Sequence, residues 1–270
     1  MAKVKTQKVG NEKSASGIKQ ESLQQILFSQ GFGTRRDCDA LITRGRVQIA
    51  GQVCSEPEQL FNPHHLSIDV GGVIWPVRPF ALLMLHKPTG YECSMKPKHY
   101  PGVLTLLPDP IRARSKGGVQ PVGRLDADTT GLLLLTDDGA LIHRLTSPKH
   151  HVDKVYDLTL FEPVDAGQIA QLRAGVVLAD DPIPVMAADC KQTGTHSIAL
   201  TLTEGKYHQV KRMMVAVGNH VTALHRSSFG QLHLPADLSP GQWRWVTVED
   251  IDGLPGLKSP GPLAGESVQT

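Results

Sequence analysis

Cysteine is scarce in this sequence, and the few cysteines lie far apart. They form no C-x-x-C pair, and no group of cysteines and histidines has the spacing of metal ligands. Cysteines placed in this way fit reduced thiols in a cytosol better than a disulfide framework or a zinc site. The sequence therefore predicts a cytoplasmic protein without a metal site. The cysteines are Cys38, Cys54, Cys93 and Cys190.

Long apolar runs are also missing. No stretch approaches the roughly 20 apolar residues that a membrane-spanning helix needs. The N-terminal segment carries lysines without an apolar core behind them, so we expect no secretory signal. Hydrophobic residues still make up 40% of the chain, which is ordinary for a globular protein. We therefore expect no membrane contact and, with 270 residues, room for two domains.

Net charge is small, +2 at neutral pH, but its distribution is uneven. Residues 1–20 contain five lysines and one glutamate, and residues 205–236 contain four lysines or arginines and no acidic residue. Four more arginines lie between residues 35 and 46. A single basic patch could be the solvated face of a helix. Three patches of one sign in a nearly neutral chain favour a polyanionic partner.

Composition divides the chain into segments. Residues 1–20 are polar and lysine-rich and are predicted to be a disordered tail. Residues 21–78 predict a compact module with two short helices and a small sheet, and the prolines of residues 76–80 mark a linker. Residues 81–252 predict a larger second domain. Residues 253–270 are rich in glycine and proline and are predicted to be a flexible tail.

The small module shows clear helix signals. Leu23, Ile26 and Leu27 recur at helical spacing and predict a first helix. Thr34 followed by Asp37 predicts a capping box at the start of a second helix. The arginines of that second helix fall on its outer face. The sequence therefore predicts a basic helix that could lie against phosphates.

The second domain shows several strand patterns and one clear amphipathic helix. Residues 154–160 and 197–203 alternate between apolar and polar side chains, as half-buried strands do. Residues 208–217 place their apolar side chains, among them Val210, on one helical stripe. Strands outnumber helices and do not alternate with them strictly. This order predicts an α+β fold with a mostly antiparallel mixed sheet flanked by helices.

The run from Gly123 to Gly139, GRLDADTTGLLLLTDDG, is the most informative part of the chain. Its four consecutive leucines, residues 132–135, predict a short strand buried on both faces. Asp126 is an ionisable residue on a polar loop at the edge of that strand, where functional residues are often found. Asp126 or Asp128 could instead cap a turn through its own backbone. The local residues alone do not decide between these two interpretations.

The same run resembles the signature of pseudouridine synthases that modify ribosomal RNA. The sequence GTRRDCDALITRGRVQIAG in the small module looks like an S4 RNA-binding domain. His86 stands where this family usually has Asn. The last two of three further matching runs are most similar to the branch that acts on small-subunit 16S rRNA. These runs are LHKPTGYECS (residues 85–94), TSPKHHVDKVY (residues 146–156) and EGKYHQVKRMMVAVGNHV (residues 204–221).

The resemblance implies an isomerase without cofactor or metal that converts uridine to pseudouridine in rRNA, either free or in a pre-ribosomal particle. Asp126 would act at the sugar beside the cation of Lys211, and Val210 would pack at the pocket wall. Tyr156 would stack on the uracil and could take its C5 proton. Arg124 would fill the gap left by the flipped base or hold its phosphate. Other RNA contacts are expected from Lys149, His150 and Arg212 and, in the S4-like module, from Arg35, Arg36 and Arg44.

Two other functions stay open at this stage. The chain could act on large-subunit 23S rRNA, or it could be an inactive RNA-binding assembly factor that keeps the fold. The intact trio of Asp126, Tyr156 and Lys211 favours an enzyme, because a decayed site is expected to lose at least one of them. We expect the protein to act as a monomer.

Overall fold

The computed structural model describes residues 20–114, 117–179, 181–247 and 250. The two predicted tails lie outside these residues, except for residue 20. No helix in the described ranges is long and apolar enough to cross a membrane. All four cysteines are buried with free thiols, which agrees with their spacing in the sequence.

The small module contains two helices and short strands, as predicted. Thr34 and Asp37 form the predicted capping box, in which each side chain accepts a hydrogen bond from the other residue's backbone. The apolar residues of the first helix are buried together with Cys38 and Ile42 of the second. The elements are β1 (Glu21–Ser22), α1 (Leu23–Ser29), α2 (Arg35–Thr43), β2 (Val47–Ile49), β3 (Gln52–Cys54), β4 (Leu60–Phe61), β5 (Ser67–Val70) and β6 (Val73–Pro76).

The second domain is built around one large sheet. Short 3-10 turns at Val103–Leu106 and Pro148–His150 interrupt its loops. Its elements are β7 (Leu82–Lys87), α3 (Asp109–Arg112), β8 (Gln120–Pro121), β9 (Thr130–Thr136), α4 (Gly139–Thr146), β10 (Lys154–Leu160), α5 (Ala166–Ala174), β11 (Val176–Leu178), β12 (Asp181–Val185), β13 (Asp189–Gly194), β14 (Ser197–Leu202), α6 (Gln209–Ala216), β15 (Val221–Phe229), β16 (Leu232–His233) and β17 (Trp243–Trp245).

The large sheet is mixed but mainly antiparallel. In the described residues its strands follow the order β13-β14-β10-β15-β9-β7-β17, with β16 paired to β15 and β8 paired to β9. The pairing of β9 with β15 is parallel, and the other strand pairs of this sheet are antiparallel. The mixed architecture of strands with few helices confirms the coarse fold class. The parallel pair lies at the centre of the sheet and brings β15 beside the signature run.

The four leucines of β9 are buried on both faces of the sheet, as predicted. Leu132 and Leu134 pack in the core that contains the buried residues of α4. Leu133 and Leu135 pack in the core on the other side, with residues of α5 and α6. Because alternate side chains point to opposite faces, this strand holds the two cores together. It gives the loop before it a rigid anchor.

Gly131 allows β9 and β15 to approach closely. Its φ is +108°, and a Cβ atom at this position would lie 2.2 Å from the carbonyl oxygen of Arg226. No side chain fits at that distance, so the parallel pairing requires glycine here. The glycine of the signature run is therefore part of the fold, next to the residues that form the site.

A buried polar network joins the small module to the second domain. Arg114 pairs with Asp137 at 2.7 Å, and their side chains are only 3% and 5% exposed. Arg114 also donates to the side-chain oxygen of Gln30 at the end of α1, at 2.7 Å, and to the backbone oxygen of Arg78 in the linker, at 2.8 Å. Asp137 accepts from the backbone of Ala81 at 2.7 Å. The network ties both parts of the chain to the linker between them.

We expect Arg114→Met to destabilise the protein strongly. The substitution leaves the buried carboxylate of Asp137 without its cation, and removing one partner of a buried pair costs roughly 3–5 kcal/mol. Urea unfolding measures the free energy of unfolding. Arg173→Met is the matched control, because the Arg173–Asp189 pair is exposed and its loss should change the free energy of unfolding little. Equal losses for the two variants would contradict the network's structural role.

Candidate active site

A cleft of about 1000 Å³ opens beside the signature run. The loop before β9 contributes Arg124 and Asp126 to its lining, β10 contributes Tyr156, and α6 contributes Lys211. These residues come from three separate parts of the sequence, and the fold brings them together in one cleft. Val210 lies at its wall, as expected. The predicted trio therefore shares one solvent-accessible space.

The carboxylate of Asp126 lies between two basic side chains. Its Oδ2 is 3.4 Å from the Nζ of Lys211, and its Oδ1 is 3.3 Å from the Nε2 of His208. The Asp126 side chain remains 31% exposed, so a ligand in the cleft can reach it. The basic group expected from Lys211 is present. The second one, His208, was not predicted to have a role.

Lys211 makes its shortest contacts with a different carboxylate. Its Nζ donates to both side-chain oxygens of Asp128, at 2.7 and 2.8 Å. Burial lowers the pKa of Lys211, but the hydrogen bond with Asp128 and the charges of Asp126 and Asp128 raise it more, so the pKa lies above its usual value. Burial raises the pKa of Asp128, and Lys211 outweighs this and lowers it. Asp128 therefore holds a charged lysine beside Asp126, a role that the sequence did not indicate.

A buried lysine organises the backbone of the loop that carries Asp126. Lys87, at the end of β7, is completely buried. Burial lowers the pKa of Lys87, and the nearby Cys93, Asp128 and Asp126 oppose the shift. A buried ammonium group is costly unless it is hydrogen-bonded, and here backbone oxygens supply the acceptors. Its Nζ donates to the backbone oxygens of Pro88, Asp126, Ala127 and Thr129 at 3.0, 3.0, 3.3 and 2.8 Å.

His208 adopts a strained backbone at the start of α6. Its φ is +48°, in the left-handed region that side chains other than glycine rarely adopt. Its ring stacks on that of Tyr207, with centroids 3.9 Å apart. Strain of this kind is often kept at functional sites. The sequence placed a helix start here, but a left-handed residue that points a ring at Asp126 leaves no pattern in the sequence.

The floor of the cleft combines Tyr156 with two buried cations. Tyr156 is 8% exposed and pairs across the sheet with Leu200 and Arg226. The Nε of Arg226 donates to the backbone oxygen of Leu132 at 2.8 Å. Burial, together with the charge of Arg226, lowers the pKa of Lys154 to about 8. Tyr156 is thus a mostly buried part of a cleft lining that also includes the basic side chains of Lys154 and Arg226.

The residues predicted to contact RNA fall into three groups. Arg124 is exposed and lines the cleft. Lys149 and His150 are exposed on the turn after α4, and Arg212 donates to the backbone oxygen of Tyr207 at 2.9 Å, but these three do not line the cleft. The third group, Arg35, Arg36 and Arg44, is exposed at α2 in the small module.

Within the described residues, no group of three or more His, Cys, Asp or Glu side chains could hold a metal ion. The expectation that the protein needs neither metal nor cofactor stays a prediction.

The mixed sheet and the open carboxylate of Asp126 lie in a part of the chain that matches a family of RNA-modifying enzymes. Residues 81–216 match the profile of the family described as RNA pseudouridylate synthase, and the chain belongs to this family. It is 39% identical over 225 residues to the ribosomal small subunit pseudouridine synthase A of Escherichia coli (strain K12), covering 83% of this chain and 96% of that protein.

Two further proteins are similar to this chain over a comparable share of its length. The synthase of the same name from Pasteurella multocida is 43% identical over 230 residues, covering 85% of this chain and 97% of that protein. A solved structure titled as a pseudouridylate synthase superposes with a TM-score of 0.61 at 34% identity, covering 86% of this chain and 98% of that one. The similarity therefore extends over both the small module and the second domain.

Proposed function

We propose that this chain converts a uridine of small-subunit ribosomal RNA to pseudouridine. The observation that carries the proposal is the Asp126 carboxylate, held in an open cleft by Lys211 and His208 within 3.4 Å. The names of the relatives from Escherichia coli and Pasteurella multocida support the substrate. The intact cleft favours an enzyme over an inactive assembly factor.

The isomerisation rearranges one nucleotide and consumes nothing else. The N1–C1′ bond breaks, the uracil turns, and a C5–C1′ bond forms. N1 gains a proton and C5 loses one, so the reaction needs no oxidant, reductant or cofactor. In our proposal Asp126 attacks C1′ or supports a glycal-like intermediate, and the Lys211 cation orients the carboxylate.

The target uridine must leave its base stack to reach this carboxylate. Enzymes that act on a base extrude the nucleotide into a pocket and stack it against an aromatic or apolar side chain. Tyr156 at the floor of the cleft is the proposed stacking partner, and its hydroxyl is the proposed acceptor of the C5 proton. Arg124, exposed at the cleft, is proposed to fill the gap in the RNA or to hold a phosphate.

Residues 21–78 are proposed to form an S4-like RNA-binding module, and residues 81–252 the catalytic domain. Exposed arginines on α2 fit contact with phosphates. The exposed side chains of Lys149 and His150, and that of Arg212, are proposed as further contacts outside the cleft. We propose that the protein works in the cytoplasm as a monomer, without metal or cofactor, on free rRNA or on a pre-ribosomal particle.

The proposal is tested by mapping pseudouridine in rRNA from cells with and without this protein. We expect one small-subunit position to lose its modification and to regain it when the wild-type chain is restored. Loss of a large-subunit position instead would assign the chain to 23S rRNA. An unchanged map with impaired ribosome assembly would support the inactive assembly factor.

Tyr156→Phe should slow the reaction while leaving RNA affinity unchanged. The variant keeps the stacking ring but lacks the hydroxyl, and a positioned acid or base contributes roughly 10²- to 10⁴-fold in rate. Single-turnover kinetics should show normal binding and stalling after the glycosidic bond breaks. Thr222→Val also removes a hydroxyl, but Thr222 is exposed on β15 and does not line the cleft, so this control should retain wild-type turnover. Near-normal turnover of Tyr156→Phe would restrict this residue to stacking.

Replacing Arg35, Arg36 and Arg44 together with Ala should weaken RNA binding mainly at low salt. Each phosphate contact that is lost should reduce the slope of log K against log salt by roughly 0.7 to 0.9, because fewer counterions are released. The turnover at saturating RNA should stay close to wild type, since the catalytic residues lie in the other domain. An unchanged slope with intact binding would mean that these arginines are a solvated helix face.

A further inference from the structure

A loop beside the cleft carries basic and aromatic side chains that the proposed chemistry does not use. This rim loop, residues 91–102, follows β7 and ends at the 3-10 turn Val103–Leu106. Lys96, Lys98, His99 and Tyr100 are exposed, and all four line the cleft. Side chains at the edge of a cleft that binds an extruded base lie where the neighbouring nucleotides must pass.

Glu92 holds the rim loop in a defined shape. Its carboxylate accepts hydrogen bonds from the backbone of Lys98 at 3.1 Å, His99 at 2.8 Å and Tyr100 at 3.0 Å. These bonds lower the pKa of Glu92. The backbone of Glu92 also bonds with Pro101, which closes the loop at its base. The basic and aromatic side chains are therefore presented by an ordered loop.

A second segment of the rim presents another exposed ring. Tyr207 is 68% exposed, lines the cleft and stacks on His208, the residue that contacts Asp126. The neighbouring Lys206 is paired with Asp181 at 2.5 Å, which anchors this segment to β12. Tyr207 thus has one ring face packed and most of its side chain open to solvent.

The charges of the rim loop are available to a ligand. Within the described residues, no carboxylate lies within ion-pair distance of Lys96 or Lys98. Tyr100 is 52% exposed beside them. Exposed rings interleaved with free cations are the combination that binds single-stranded nucleic acid, since the rings stack on bases and the cations follow the phosphates.

We propose that the rim loop and Tyr207 form a clamp for the single-stranded RNA that flanks the target uridine. Tyr100 and Tyr207 stack on neighbouring bases, and Lys96 and Lys98 contact phosphates. The clamp deepens the proposed function and rests on it, because it assumes that RNA enters this cleft. It acts in binding and positioning and leaves the chemical step to Asp126.

Tyrosine variants test the stacking. Tyr100→Ala and Tyr207→Ala should each raise the Kd and the KM for substrate RNA by about 5- to 150-fold, the range found for losing one stacked base. The kcat of Tyr100→Ala should stay near wild type, and Tyr100→Phe and Tyr207→Phe should restore binding. Phe161→Ala is the matched control, because Phe161 is also exposed but does not line the cleft; its Kd should not change.

Chemical footprinting of the wild-type protein tests the lysines without any substitution. RNA should protect Lys96 and Lys98 from an amine-reactive reagent and leave Lys191, exposed on β13, as reactive as before. Lys96→Ala combined with Lys98→Ala should reduce the salt slope of binding by about 0.7 for each contact to a single strand. Lys191→Ala should leave that slope unchanged.

The clamp is overturned if both tyrosine-to-alanine variants bind and turn over RNA like the wild type, or if RNA leaves Lys96 and Lys98 unprotected. In either case the active wild-type enzyme would still support the proposed function. A wild-type chain that binds rRNA with both lysines protected but forms no pseudouridine would overturn the proposed function alone.

Discussion

Asp126→Asn is expected to abolish pseudouridine formation without unfolding the protein or lowering its affinity for RNA. The amide has nearly the same shape as the carboxylate but supplies neither a nucleophile nor a negative charge at C1′. We expect kcat to fall by roughly 10⁴-fold or more, the scale of loss when a catalytic nucleophile or its charged partner is removed. RNA affinity should stay close to wild type, because the side chain is one small part of a large contact.

Asp128→Asn separates the role of the Asp126 carboxylate from that of the lysine beside it. Asp128 is two residues away and bonds to the same lysine, but its side chain is 70% exposed. Exposed ion pairs contribute about 1 kcal/mol or less, so the expected loss in kcat is below about 10-fold. A large loss in both variants would make the arrangement of Lys211 the decisive feature. Measurable turnover by Asp126→Asn, verified free of deamidation, would contradict the assignment of Asp126.

Lys87→Met is expected to reduce both stability and turnover. Methionine has a similar length but no ammonium group, so it cannot donate hydrogen bonds to the backbone oxygens that surround the Nζ. Leaving buried acceptors without a donor costs about 1–3 kcal/mol each. Relief from burying a charge offsets part of this, and we expect a net loss of roughly 2–4 kcal/mol in the free energy of unfolding. The loosened loop displaces Asp126, and a misplacement of about 1 Å can cost 10²-fold in rate.

Urea unfolding and single-turnover kinetics measure the two effects of Lys87→Met separately. Lys191→Met is the control, since a surface substitution usually changes stability by about 0.5 kcal/mol or less. The combination of effects distinguishes Lys87 from Asp126, whose variant should lose turnover and keep stability. Lys87→Met with wild-type stability and a wild-type rate would contradict the role of this lysine in shaping the loop.

Local patterns in the sequence predicted much of the fold. The capping box of Thr34 and Asp37 and the four leucines of β9 depend on neighbours a few residues away, so the sequence alone indicates them. The alternation of residues 154–160 predicted the half-buried strand that carries Tyr156. The proximity of Lys211 to Asp126 was indicated by the resemblance to a family, because the two residues are far apart in the sequence.

Contacts between distant segments were the part that the sequence did not reveal. Lys87 belongs to a run that matched the family, but its burial under backbone oxygens from residues 126–129 leaves no local pattern. His208 depends on a left-handed backbone, which is unusual for histidine. Lys211 divides its contacts between Asp126 and Asp128, although the local sequence allowed either carboxylate to be only a turn cap. Contacts of a charged side chain with main-chain oxygens or with two carboxylates can be identified only in the folded structure.

The contact between the small module and the second domain was also not indicated by any pattern in the sequence. Gln30 sits at the end of a short helix, and Arg114 lies in a polar loop more than eighty residues later. Neither residue is unusual in composition or spacing. The predicted linker, residues 76–80, ends beside this network, since the backbone of Arg78 accepts from Arg114. The small module therefore has a defined contact with the second domain, which a linker prediction alone does not provide.

Release of tritium from rRNA labelled at uridine C5 tests the central claim most directly. Joining C5 to C1′ expels the C5 hydrogen, so isomerisation frees tritium, whereas RNA binding alone does not. With purified protein and small-subunit rRNA we expect release that stops after a single equivalent per RNA molecule, and none with Asp126→Asn. Absence of release by the wild-type protein from free rRNA and from pre-ribosomal particles, or release that persists in Asp126→Asn, would contradict the account.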